Sequence, residues 1–283
     1  MNNQGIGYID SGFGGLTVVD KAFKLIPNEK IFFIGDQARV PYGNRKNNEI
    51  IKFVFQMTNF LVQEKKIKLL VIACNTISAH AIPALKKKLK IPIIGIIHAG
   101  AKSAIKASDN GLIDIIGTNS TINSNVYVKQ IKKINPSVTV FQRSMQKFVS
   151  LVESGAVNND ETQKIVYKNF YDWFQIHPLA SKADVLLLGC THFPILIDRI
   201  RKVVGKEIKI VDPAISEVLY VKKVLQENDL LRDKNLPVNP KNNFLYTTGN
   251  LKKFSYFAIK WFNFKNFNFK KLLIGKKKLI EKI

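Results

Sequence analysis

Leu69-Leu70-Val71-Ile72-Ala73-Cys74-Asn75-Thr76 is the stretch from which the fold can be read. Its first five residues are all apolar, which suits a strand covered on both faces. The run then stops at a thiol and two small polar side chains. At a strand-to-helix turn, free backbone N–H groups can receive a carboxylate, and the helix dipole favours a thiolate. Asn and Thr are also ordinary helix caps, so a buried structural cysteine would explain this segment taken alone. The layout recurs in Leu186-Leu187-Leu188-Gly189-Cys190-Thr191-His192-Phe193-Pro194. A buried strand again ends in a thiol, a hydroxyl residue follows, and His192 stands two positions on. Two such sites in one chain are far more specific than either alone.

Working outward, short apolar runs alternate with amphipathic ones, the pattern of an α/β protein with mainly parallel strands. Strands are expected at Gly7–Ile9, Ile31–Ile34, Leu69–Ala73 and Ile93–Ile97. A second set is expected at Ile113–Ile116, Val138–Val140, Val185–Leu188 and Ile208–Val211. The stretch from Asn48 to Lys66 spaces Ile51, Val54, Phe55, Thr58, Leu61 and Val62 as one apolar helix face. Leu16 to Leu25 and Ile77 to Leu89 also read as helices, the latter bent or broken by Pro83.

A weak internal repeat is visible. One strand leads to Asp10-Ser11-Gly12 and a later one to Cys74-Asn75-Thr76. In the second half, one leads to Gly117-Thr118-Asn119-Ser120 and a later one to Cys190-Thr191-His192. Each polar group lies just past the carboxyl end of a strand, where open α/β sheets bind ligands. The expected architecture is therefore two similar α/β domains facing each other across a central cleft, each contributing one thiol. Residues 1–97 with 211–283 would form the first domain and 98–210 the second, with the boundary near His98 to Lys102.

Two further segments carry functional character. Gly5 to Thr17 is a glycine-rich turn after a strand, but it lacks G-x-G-x-x-G in register and lacks G-K-[ST]. Asp10, at its strand end, is poised to meet a substrate ammonium or a cysteine. Gly35 to Asn44 reads as a long loop, with Tyr42 and Gly43 able to line a cleft.

Composition narrows the class. The 283 residues are 46% hydrophobic, enough for a core in each half. The two cysteines lie 116 positions apart, without C-x-x-C or metal-ligand spacing. That argues against a disulfide scaffold, a redox dithiol and a metal site. No apolar run reaches the ~18 residues that span a bilayer, so no membrane partner is expected. Met1-Asn2-Asn3-Gln4-Gly5 has no basic n-region, so no signal peptide is read and a cytoplasmic location is expected. The net charge is +23, but 38 of the 44 basic residues are lysines scattered along the chain. No aromatic-and-basic RNA motif or helix-turn-helix accompanies them, so nucleic acid is not the favoured partner. From Lys252 to Lys282 there are ten lysines and one acidic residue, Glu281, among many aromatics. The expectation is a final amphipathic helix packing on the first domain, then a frayed basic end.

With these segments in view, the chain resembles the glutamate racemases of the bacterial aspartate/glutamate racemase superfamily. The resemblance rests on IDSGFGGLTV (9–18), GDQARVPYGN (35–44), ACNTISA (73–79), IPIIGII (91–97) and IGTNSTINSNVY (116–127). FVSLVESG (148–155), LLLGCTHFPIL (186–196) and YTTGN (246–250) complete it. These blocks span most of the chain in order. The pair CNT and GCTH marks the superfamily, while DSGFGGLTV and VPYG point to the glutamate branch. Departures fall at His98-Ala99-Gly100, Ser144-Met145 and Asp212-Pro213-Ala214, near the domain junction and cleft wall.

The resemblance implies a set of roles. Cys74 and Cys190 would be the acid/base thiols, assisted by Asp10 and His192, with Glu153 a further participant. Asp10-Ser11, Tyr42-Gly43, Asn75-Thr76 and Thr191-His192 would hold the substrate. It also implies glutamate as substrate, no cofactor, no metal, a homodimer, and D-glutamate supplied for peptidoglycan synthesis. Cys74 would act on the D-enantiomer and Cys190 on the L-enantiomer. A free thiol has a pKa of ~8.5, so helix N-termini or local donors are expected to lower it. Two other readings remain open on the sequence: a racemase of aspartate or another amino acid, and a basic nucleic-acid-binding protein on the same fold.

Overall fold

The computed structural model describes residues 3–237 and 239–282. Met1 and Asn2, part of the N-terminus read above as unsignalled, lie outside the described residues. Strands in the first part of the chain are β1 (Ile6–Asp10), β2 (Ile31–Gly35), β3 (Leu69–Ile72) and β4 (Ile93–Gly95). The middle supplies β5 (Leu112–Gly117), β6 (Thr139–Ser144), β7 (Val185–Gly189) and β8 (Lys209–Val211). The end supplies β9 (Phe244–Thr247), β10 (Asn268–Ile274) and β11 (Leu279–Glu281). Helices in the first part are α1 (Leu16–Leu25), α2 (Asn47–Gln63), α3 (Asn75–His80), α4 (Ile82–Lys86) and α5 (Ile96–Ala107). The middle carries α6 (Asn119–Asn123), α7 (Val126–Ile134), α8 (Gln146–Ser154), α9 (Asp160–Ile176) and α10 (Ile197–Val204). The last two are α11 (Ala214–Glu227) and α12 (Leu251–Phe262).

The strands form two sheets, one ordered β11-β10-β9-β2-β1-β3-β4 and the other β6-β5-β7-β8. The internal repeat is topological: β2-β1-β3-β4 and β6-β5-β7-β8 have the same order and are parallel throughout. In each sheet the order reverses beside β1 or β5, the switch point at which open α/β sheets bind ligands. Every residue of β1, β2, β3 and β7 is buried, as apolar runs covered on both faces require. One apolar core runs from the first sheet into the second, through residues of α5 and α11. α11 packs on α1 and on α5, so it spans the seam. Residues 98–102, where the domain boundary is expected, lie inside α5.

Several sequence expectations need correction. The run Ile93–Ile97 is a strand only to Gly95, and Ile96 and Ile97 open α5. A short apolar run cannot tell a buried strand from a buried helix start. Of the expected face of α2, Val54, Thr58 and Leu61 are buried, together with Ile50, Met57 and Phe60, while Ile51, Phe55 and Val62 pack on its margin. Gln56 is drawn inward on that helix because its amide oxygen accepts from Arg39 at 2.5 Å. The helix expected over Ile77–Leu89 starts earlier, at Asn75, while its expected break at Pro83 is present: the chain leaves helix at Ala81 and re-enters it with Pro83 in the first turn of α4. Pro83 offers no N–H, so the ladder cannot run through it.

The largest difference is at the C-terminus. α12 packs as expected, with Phe257 stacked 4.4 Å from Phe13. The segment after it is not frayed. β10 pairs in parallel with β9, and β11 returns antiparallel to β10, extending the first sheet by a hairpin. Leu272 and Leu279 are buried there. Lysines interrupt the apolar pattern of this strand pair, which hides it from a periodicity reading. No helix among the described residues is long and apolar enough to cross a membrane.

If the hairpin is a structural part of the sheet, Leu272→Ala should cost about 2–5 kcal/mol in chemical denaturation, the usual range for a buried leucine. A loss below about 0.5 kcal/mol, typical of an exposed site, would mean that the tail does not pack.

Candidate active site

The site forms where the carboxyl ends of the two sheets meet. It is a narrow cleft, whose walls include Ser11, Tyr42, Gly43, Cys74, Asn75 and Thr76 from the first sheet's side. Thr118, Gln146, Cys190, Thr191 and His192 line it from the other. Both cysteines are free and buried. The strands deliver them there: Cys74 follows β3 and caps α3, and Cys190 follows β7.

The two halves are tied across the cleft by side chains. The buried Asp10 carboxylate accepts the Gly12 N–H at 2.8 Å on Oδ1 and the Thr191 hydroxyl at 3.0 Å on Oδ2. Thr76 and Thr118 pair through their hydroxyls at 2.8 Å, with Thr121 3.0 Å from Thr118. His80 Nε2 lies 2.7 Å from the Ser120 hydroxyl. These contacts need close approach. A Cβ on Gly14 would stand 2.6 Å from His192 Nδ1, so the glycine-rich turn is a docking surface for the second half rather than a phosphate cradle. Gly43 is likewise pressed against Gln146 and Thr118.

The two thiols sit in different electrostatic surroundings. Ser11 Oγ lies 3.6 Å from Cys74 Sγ and 3.4 Å from Asp10 Oδ1, so the carboxylate reaches this thiol through a hydroxyl. The expectation of a lowered pKa fails at Cys74. Burial pushes the thiol well up and the charge of Asp10 adds to this, while the Ile77 N–H and Ser11 hydroxyl oppose it only in part. Burial also raises Asp10, against the lowering influence of His192 and the Gly12 and Thr191 hydrogen bonds.

On the other side, Cys190 Sγ lies 3.7 Å from His192 Nδ1, and His192 Nε2 lies 2.5 Å from Glu153 Oε1. Burial disfavours the imidazolium, but the contacts with Cys190 and Glu153 outweigh it and hold the His192 pKa well above its usual value. Gln37 donates to the other oxygen of Glu153. One thiol therefore adjoins a carboxylate and the other a proton-rich imidazole.

The remaining residues singled out in the sequence are also brought together here. Asn75 Oδ1 accepts the Tyr127 hydroxyl at 2.6 Å, which leaves its buried Nδ2 without a partner. The Tyr42 hydroxyl turns away to Asp36, so Tyr42 offers ring and backbone to the cleft. Thr118 and Gln146 line the cleft without having been marked as site residues, and the buried Glu217 couples to Asp10 from outside that lining. Thr118 occupied the right place in the repeat, but nothing local distinguished it from a cap. Gln146 carries no sequence signal at all. Glu217, on α11, is fully buried with both oxygens unpartnered; burial first, then Asp10 and Asp212, raise its pKa well above the usual value.

Opposed sheet ends, each presenting a buried thiol to one cleft, define a racemase-type site, and the chain belongs to the Asp/Glu/hydantoin racemase family, whose family model matches residues 16–218. The relatives it resembles at 30% identity or more include glutamate racemases. It is 45% identical to the glutamate racemase of Oenococcus oeni over 282 residues, 99% of this chain and 100% of that one. A solved glutamate racemase isoform from Bacillus anthracis superposes with a TM-score of 0.88 at 34% identity, covering 98% of this chain and 100% of the other. The Francisella tularensis glutamate racemase, solved with D-glutamate, gives 0.83 at 33% identity over 97% and 98%. The chain is accordingly an isomerase.

The Glu153 contact makes a testable prediction. A raised histidine pKa adds stability that is complete below the unfolded value of ~6.5 and is lost as pH rises through the folded value. Glu153→Gln removes the anionic partner, so the His192 ring should release its proton at lower pH in an NMR titration. An unchanged titration would mean that Glu153 does not hold that proton.

Proposed function

We propose that this chain interconverts L-glutamate and D-glutamate by a cofactor-independent transfer of the α-proton between two thiols. The carrying observation is the pair of buried free cysteines in one cleft, one beside Asp10 and Ser11, the other beside His192. The α-proton of an amino acid is very weakly acidic, and two bases on opposite faces replace the electron sink that a cofactor would supply. In the resting arrangement Cys74 keeps its proton, and Cys190 stands 3.7 Å from the His192 ring, which can hold a proton beside it. That arrangement suits L-glutamate: Cys190 Sγ takes the α-proton, and the Cys74 S–H delivers its proton to the opposite face. Afterwards Cys190 is the thiol and Cys74 the thiolate, ready for the D-enantiomer. His192 and Asp10 hold proton inventory beside each sulfur while solvent exchange resets the pair. The free Nδ2 of Asn75 and the helix-start amides beside it supply donors for charge growing on the α-carboxylate.

The proposal includes a cytoplasmic site of action, a homodimeric assembly and D-glutamate as a precursor for peptidoglycan. It invokes no role for nucleic acid or membrane.

In deuterium oxide, either enantiomer should exchange its α-proton and invert without added cofactor, and added pyridoxal phosphate should not change the rate. Cys74→Ala and Cys190→Ala should each lower racemisation at least 10²–10⁴-fold in both directions, the usual contribution of a positioned acid or base. Wild-type rates in either variant would sink the two-thiol scheme. Exchange with aspartate but not glutamate would move the substrate assignment.

A further inference from the structure

We infer that Gln146 is a further substrate-contacting residue, the donor that holds the side-chain carboxylate of the amino acid in the cleft. This rests on the reading that the substrate is glutamate.

Gln146 opens α8 and faces the cleft alongside Gly43 and Thr118. Its Oε1 accepts the backbone N–H of Asn119 at 3.1 Å. A backbone N–H can only donate, so this bond decides which way the amide points. The Nε2 group that remains is buried and has no partner. Gly43 is what lets the amide sit there, because a Cβ at that position would collide with it. Asn75 repeats the arrangement from the opposite half, with its oxygen held by Tyr127 and its buried Nδ2 unpartnered.

Buried amide donors are rarely left without an acceptor. Two of them in one cleft, each locked by its own oxygen, match a ligand with two anionic ends. Asn75 directly follows Cys74, so its amide adjoins the carbon at which proton transfer takes place, and with it the α-carboxylate. Gln146 belongs to neither thiol's element. It stands at the wall formed by Gly43 and Thr118 and takes the distal carboxylate.

The test compares Gln146→Leu and Gln146→Glu with the wild type in steady-state racemisation of L-glutamate, together with thermal unfolding. A hydrogen bond to a charged group accounts for roughly 10- to 100-fold in binding. KM should rise by that factor in Gln146→Leu and by more in Gln146→Glu, where a like charge faces the substrate, with kcat held within about threefold. Gln146→Glu is isosteric and keeps an oxygen for the Asn119 N–H, so it reports even if the leucine variant does not fold. An unchanged KM in Gln146→Glu, or a fall in kcat and melting temperature without a change in KM, would overturn the inference and leave Gln146 a prop for the Asn119 turn. Failure of the wild type to exchange glutamate would instead overturn the substrate reading on which it rests.

Discussion

The hydrogen bond from Thr191 to Asp10 at 3.0 Å joins the carboxyl ends of two separate sheets, and the working geometry of the cleft depends on it. The proposed exchange of a proton between two sulfurs and one carbon requires that they approach it from opposite sides and that neither drifts. The Asp10–Thr191 bond sets the spacing on one flank of the cleft, and the Thr76–Thr118–Thr121 hydroxyl cluster sets it on another. Both are buried, where hydrogen bonds are stronger and an unmade one costs more. Glycine at 14 and 43 is a consequence, since any side chain there would push the halves apart.

The same closeness creates an electrostatic problem. Asp10, Glu153, Asp212 and Glu217 crowd the interior of a chain whose net charge is +23. Each carboxyl is handled differently. Asp10 is satisfied by Gly12 and Thr191, and Glu153 faces His192. Glu217 has neither compensation, and its environment favours the neutral acid. Burial, with the charge of Asp10, keeps the proton on Cys74, while the contacts with Cys190 and Glu153 favour the cation at His192. The asymmetry between the two thiols is therefore a property of the whole seam, not of either cysteine's own turn. The scattered lysines on the outside can draw an anionic substrate toward it.

Much of the site was legible because it is built from local units. A strand that ends in Cys-Asn-Thr or Cys-Thr-His carries its functional groups within three residues. Strand geometry alone delivers them to the carboxyl edge of a sheet. Gln146 and Glu217 were not legible, since neither belongs to such a unit. Each acquires its character from elements far away in the chain: Asn119 and Gly43 around one, Asp10 and Asp212 around the other. The direction of the Cys74 pKa was misjudged for the same reason. A helix N-terminus is visible in sequence, but the burial that overrides it is not.

By itself the sequence determined the alternation of strands and helices, the doubling of the motif and the placement of a thiol at the end of a strand in each half. These follow from hydrophobic patterning and short-range spacing. Only the tertiary structure decided where Ile93–Ile97 changes from strand to helix, that the lysine-rich tail closes the first sheet as a hairpin, and that burial holds the proton on Cys74. Those outcomes depend on which surfaces are covered and which charges meet across the seam, and contacts such as Asp10–Thr191 and Gln37–Glu153, between residues more than a hundred positions apart, leave no periodic trace in the chain.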